Sequence, residues 1–139
     1  MGVGTGEPGA SLLGEGWWTE QTFSWSGRRA EMLVPLPKGS GKSPSQVEIT
    51  LDFDVYRAKG SEQKHVTISV DGQLTKDLAI PPGSGSPEEH QVVTLIASGQ
   101  RYSLLEYRTM PAESPADQGS PDTRVLGVAL KSMAVRRLP

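Results

Sequence analysis

The chain contains no cysteine. That excludes disulfide staples, thiolate nucleophiles and cysteine-ligated zinc or iron–sulfur centres. It contains no asparagine, and so no N-glycosylation acceptor. A basic excess is also lacking: 14 Lys+Arg stand against 16 Asp+Glu, for a formal net charge of -2. Nucleic-acid binders carry a basic surplus or stripe. The doublets Arg28-Arg29 and Arg136-Arg137 are too small to form one, so nucleic acid is not an expected partner. No apolar run approaches the roughly 20 residues that span a bilayer, so no membrane span is expected. Nowhere do apolar residues keep the 3.6-residue helical period over about ten positions.

What is present is a chain of 139 residues, the size of one domain. Its glycines and prolines gather at 1–16, 35–45, 81–87 and 111–121. Between these clusters the polarity alternates with period two, the pattern of antiparallel β structure. Residues 45–56 show it best. Val47, Ile49, Leu51, Phe53 and Val55 alternate with Glu48, Thr50, Asp52 and Asp54, which gives a strand with one oily and one acidic face. Residues 64–71 repeat the device, with Val66, Ile68 and Val70 against His65, Thr67 and Ser69. Asp71-Gly72 follows and predicts a type I′ hairpin into the segment ending at Ile80. Further strands are expected at 90–97, at 102–109 with Leu104 inward, and at 124–135. Upstream, 19–26 and 29–36 read as a strand pair, which Pro35 and Pro37 end or place at an edge. Eight or nine strands exceed what one sheet of this size carries easily, so the expected fold is all-β, an antiparallel sandwich of jelly-roll type. Residues 1–15, glycine-rich and without the apolar core of a signal peptide, read as a flexible linker or appended tail of a larger protein, with the domain at 16–139.

No catalytic constellation emerges, and the chain is not expected to be an enzyme. Gly39-Ser40-Gly41-Lys42-Ser43 ends like a phosphate loop. However, Leu36 stands where the first glycine belongs, and Pro44 and a strand follow where a helix is needed. His65 sits on a polar strand face, and Glu88-Glu89-His90 could approach a cation only if adjacent strand residues converged. Asp52 and Asp54 lie two apart on one strand face, the ordinary look of a solvated sheet. No loop shows calcium-site spacing, so no cofactor is expected and a structural calcium is left open.

The aromatics carry more. Trp17, Trp18 and Trp25 fall within nine residues. Trp17 and Trp18 must face opposite sides of a strand, one toward the core and one out. An exposed indole offers a flat apolar face to a sugar ring while polar neighbours bond its hydroxyls. The stretch 120–128 is the second distinctive feature. Arg124 is positioned to clamp its loop through Asp122 or another acid, and Gly127 marks a bulge or a close backbone approach. Trp17, Trp18, Trp25, Arg28, Asp122 and Arg124 are therefore the candidate ligand-binding residues.

Four stretches support a resemblance: Phe23-Ser24-Trp25-Ser26-Gly27, residues 30–37, Val66 to Gly72, and Asp122 to Leu130. Over residues 16–138 the chain resembles a β-sandwich domain carried by bacterial membrane-associated glycosyltransferases and surface-polysaccharide proteins. The resemblance implies a jelly-roll-like accessory domain similar to carbohydrate-binding modules, in an extracytoplasmic setting. It implies carbohydrate and parent-protein domains as partners, and it supplies no catalytic residues. The alternative expectation is a structural or protein-interaction module packed against a parent enzyme.

Overall fold

Val47, Ile49, Leu51, Phe53 and Val55, the oily half of the clearest alternating segment, are all fully buried in the computed structural model. Each such burial is worth roughly 1.5–3 kcal/mol. The structure describes residues 1–36, 45–56, 62–82, 88–99 and 101–138. Its strands are β1 (Trp17–Thr19), β2 (Ser24–Ser26), β3 (Arg29–Pro35), β4 (Ser45–Tyr56), β5 (Lys64–Val70), β6 (Gln73–Ile80), β7 (Glu88–Gly99), β8 (Tyr102–Met110) and β9 (Val128–Arg137). The phosphate-loop-like stretch 39–43 lies outside the described residues, as do the side chains of Glu88 and Glu89.

The strands form two antiparallel sheets, one in the order β1-β2-β9-β4-β7 and the other β3-β8-β5-β6. The pairings nest: β5 with β6, β4 with β7, β3 with β8, β2 with β9. Successive pairs alternate between the sheets. This is the path of one long hairpin rolled into two layers, a jelly roll, with β1 added outside β2. The inner faces share one core, in which Met32, Val34, Ile68, Leu105, Tyr107 and Leu130 meet the β4 residues. The β5–β6 hairpin forms as the sequence predicts, with Asp71 at φ 51 and Gly72 at φ 82, both positive as a type I′ turn requires. β3 is an edge strand and ends at Pro35.

Three expectations are corrected. The segments 19–26 and 29–36 do not pair with each other. The first belongs to the β1–β2 hairpin, and Gly27 and Arg28 carry the chain across to β3 in the other sheet. In β8 the inward residues are Ser103, Leu105, Tyr107 and Thr109, so Leu104 faces out at 39% exposure. The last strand begins at Val128 rather than 124. Gly127 precedes it as the point of close approach: a Cβ there would meet the Gly27 carbonyl oxygen at 2.6 Å.

Residues 1–15, read as a linker or tail, lie against the sandwich. Val3 is fully buried in the main core, and the Ser24 hydroxyl donates to its carbonyl at 2.7 Å. Gly2 bridges to Ser132 and Leu13 to Met32. Glycine here permits contact rather than slack. At Gly16, φ is +93 and a Cβ would stand 2.2 Å from the Arg29 carbonyl oxygen.

Candidate ligand-binding face

One register row crosses the five-stranded sheet. Trp18 pairs with Trp25, Trp25 with Ala129, Ala129 with Asp54, and Asp54 with His90. Residues facing one another in a ladder share a side. Phe53 and Leu130, one step along, point into the core, so this row points away from it. The outer face is covered in part by the loop 111–127. Leu126 of that loop closes a satellite cluster with Trp25, Tyr56 and Ala129, and Phe23 packs at its side. Phe23, Trp25 and Tyr56 stack edge to face, with ring centres 5.7 and 5.9 Å apart.

The loop is tied down from several sides. Ser114 caps the short 3₁₀ turn Pro115–Gln118 through a reciprocal bond with Asp117. The Leu126 amide donates to the Glu113 carbonyl, and the Gly127 amide to the Ser26 carbonyl, each at 2.8 Å. The fully buried Lys64 ammonium donates to the Tyr56 carbonyl oxygen at 2.7 Å and meets the Glu113 carboxylate at 2.7 Å. Burial is the main cause that pushes the Tyr56 phenol upward in pKa, with the Glu113 charge next.

The six sequence-selected residues separate into two groups. Trp17 turns toward the core: its ring meets Tyr107 edge-on at 5.5 Å, and its indole N–H donates to the Glu31 carbonyl at 2.7 Å. Trp25 is 8% exposed inside the satellite cluster. Trp17 thus packs partly buried against the main core and Trp25 within the satellite cluster. Trp18 differs, at 40% exposure. The Arg124 guanidinium lies 5.7 Å from its ring centre. Arg124 grips Asp122 through Nε at 3.0 Å and Nη2 at 2.8 Å, and reaches Glu20 through Nη1 at 3.0 Å. The expected loop clamp therefore has two acids rather than one. These hydrogen bonds hold the Asp122 carboxyl below the ordinary aspartate range and raise the already basic Arg124 further. Arg28 is exposed, follows the Gly27 that lies beneath the Trp18 ring, and makes no ion pair with any described residue. Trp18, Asp122 and Arg124 are thus brought together, with Arg28 nearby in the chain.

The sequence reading passed over a second feature of the same face. Thr22, Phe23, Asp54, Ala129 and Lys131 line an open groove of about 280 Å³. Asp54 was expected on a solvated face, yet it is 4% exposed. It accepts from His90 Nδ1 at 2.9 Å and meets Lys131 Nζ at 2.9 Å. Asp52 lies 3.6 Å from the other His90 nitrogen. The cause is a bulge: the β4–β9 register shifts between Asp52 and Phe53, which leaves Lys131 as the extra residue beside Asp54. Among the described residues, no three His, Asp or Glu converge as metal ligands, and no helix is long and apolar enough to cross a membrane.

No protein-family model and no curated protein matches the chain. Solved structures do. A segment of dimeric latent PorU from Porphyromonas gingivalis superposes with TM-score 0.53 and 12% identity, covering 79% of this chain and 10% of that one. A family 35 carbohydrate binding module from an environmental isolate gives TM-score 0.43 and 13% identity over 98% of this chain and 80% of that one. A cycloisomaltooligosaccharide glucanotransferase from Paenibacillus sp. gives 0.43 and 12% over 81% and 14%. The chain spans about a tenth of the PorU chain it matches, and the likeness is one of fold.

Proposed function

We propose that the domain is a non-catalytic accessory module that binds carbohydrate on the outer face of its five-stranded sheet. Trp18 provides the platform, and Arg124, Asp122 and Arg28 provide polar contacts around it. The observation that supports this most directly is the 40% exposed indole of Trp18 beside a guanidinium already fixed by two carboxylates. An exposed large aromatic costs solubility unless it meets a partner. A held Arg–Asp pair offers donors and acceptors without a further ordering cost. The natural ligand class is the glycan of a surface polysaccharide, and the parent chain would be an enzyme that handles it outside the cytoplasm. A shallow open site buries little ligand area, so affinity near ~10⁻⁴ M is expected.

The test is a titration followed by tryptophan fluorescence with a panel of neutral and uronic-acid oligosaccharides. Saturable quenching in the native domain and none for Trp18→Ala is the expected result. Equal binding by both proteins would overturn the role of Trp18, and silence across the panel would overturn the function.

A second reading has its own observation. On the four-stranded sheet, Leu33 faces Leu104 and Pro35 faces Tyr102, all exposed. This contiguous apolar strip suits a module that packs against another domain of its parent. The isolated domain should bind a hydrophobic reporter dye there, and Leu33→Glu with Leu104→Glu should remove the signal. An unchanged dye signal in that double variant would count against it.

A further inference from the structure

The groove beside Asp54 is joined to the Trp18 site through the β1–β2 turn. The Glu20 amide donates to the Phe23 carbonyl at 2.8 Å, while the Glu20 carboxylate holds Arg124 beneath the reach of Trp18. The turn that fixes the Arg124 clamp therefore also carries the aromatic wall of the groove. Trp18 and Asp54 stand in the same register row, three strands apart. At the usual ladder spacing that is about 14 Å, more than one sugar ring can bridge.

The lining sets the ligand chemistry. Phe23 and Ala129 give an apolar floor, Thr22 a hydroxyl, Asp54 an acceptor and Lys131 a donor. The carboxylates of Asp52 and Asp54 face the Lys131 ammonium, with the His90 ring between them. Two carboxylates beside one ammonium do not draw in an anionic ligand. The cluster matches hydroxyls, which donate to a carboxylate and accept from an ammonium at once. Asp54 is 6% exposed at its side chain and bonded from two sides, so its oxygens are held in place before any ligand arrives. A volume of about 280 Å³ is at the small end of ligand sites, with room for one ring of a larger molecule.

We infer that the groove formed by Thr22, Phe23, Asp54, Ala129 and Lys131 is a second subsite, and that the ligand is a neutral oligosaccharide that reaches it from Trp18 along the exposed β1–β2 turn. This rests on the carbohydrate reading above and extends it to a chain-length requirement.

The experiment titrates the whole domain with linear neutral gluco- and galacto-oligosaccharides of one to six units, read by tryptophan fluorescence and by NMR shifts at Thr22, His90 and Ala129. Affinity is expected to rise at least tenfold from one unit to four. Lys131→Met is expected to abolish that rise while leaving single-unit binding at Trp18 intact. Lys131 is exposed, so its variant should fold. Length-independent affinity, or a rise unchanged in Lys131→Met with no shifts at the groove, overturns the subsite and leaves the Trp18 reading standing. Absence of binding by every sugar overturns both.

Discussion

The Lys64 ammonium, with no exposed surface of its own, meets the Glu113 carboxylate at 2.7 Å and so joins the start of β5 to the loop that covers the outer sheet face. A buried charge is tolerable only when paired. The two ends of this pair are unequal, since Glu113 keeps 19% side-chain exposure and Lys64 keeps none.

The inequality predicts an asymmetric response. Glu113→Gln removes the carboxylate and leaves the ammonium buried, at a cost of about 3 kcal/mol, the low end of the range for breaking a buried pair. Lys64→Met removes the buried charge and leaves a glutamate that can turn to water, so it should cost clearly less. Urea unfolding of both variants checks this, and equal losses would refute it.

The three tryptophans should behave as two classes. Trp17→Ala and Trp25→Ala delete packed rings and should each lower stability by about 3 kcal/mol, within the range for large aromatic truncations. Trp18→Ala loses mainly its contact with Arg124, worth about 0.5–1 kcal/mol at an exposed site. Chemical denaturation ranks them. A Trp18 variant as unstable as the other two would show its ring to be structural.

Acid should loosen the Trp18 surroundings through Asp122. Its carboxyl is held low by the hydrogen bonds from Arg124. A depressed acid stabilises the fold above its unfolded value, near 3.9, and that contribution is lost as pH falls through the depressed folded value. The clamp should therefore be intact at neutral pH and release only below about pH 4. An NMR titration of the Asp122 carboxyl, followed alongside Trp18 fluorescence, checks the sign. A midpoint above the ordinary aspartate value would contradict the clamp.

Most of the fold is legible in the alternation, because a sheet with one wet side writes its orientation into every second residue. β4, β5 and the Asp71-Gly72 turn follow directly from it. Lys64 is instructive: it stands two residues before Val66, so the same rhythm places it inside, and only its residue type argues otherwise. Asp54 was hidden for a different reason. It is held by His90 and by Lys131, the extra residue of the β4–β9 register shift, and neither partner is marked in β4 itself. The N-terminal glycines were ambiguous by nature, since the same residue allows a loose tail and a tight approach. Of the proposed binding residues, Asp122 and Arg124 could be paired in advance by the clamp logic of Arg124, whereas their meeting with Trp18 could not. The lining of the groove depends on a register that the local sequence does not encode.

The rolled path has a consequence for how the molecule is made. β9, the last of these nine strands in chain order, is the middle member of its sheet, between β2 and β4. Until it arrives, those two strands expose unsatisfied edges toward each other across a gap one strand wide. The nascent domain thus cannot finish assembling in order of synthesis. A ribosome-stalled chain ending before Val128 would be a sticky, strand-hungry species, and chaperone capture during translation would be the natural safeguard.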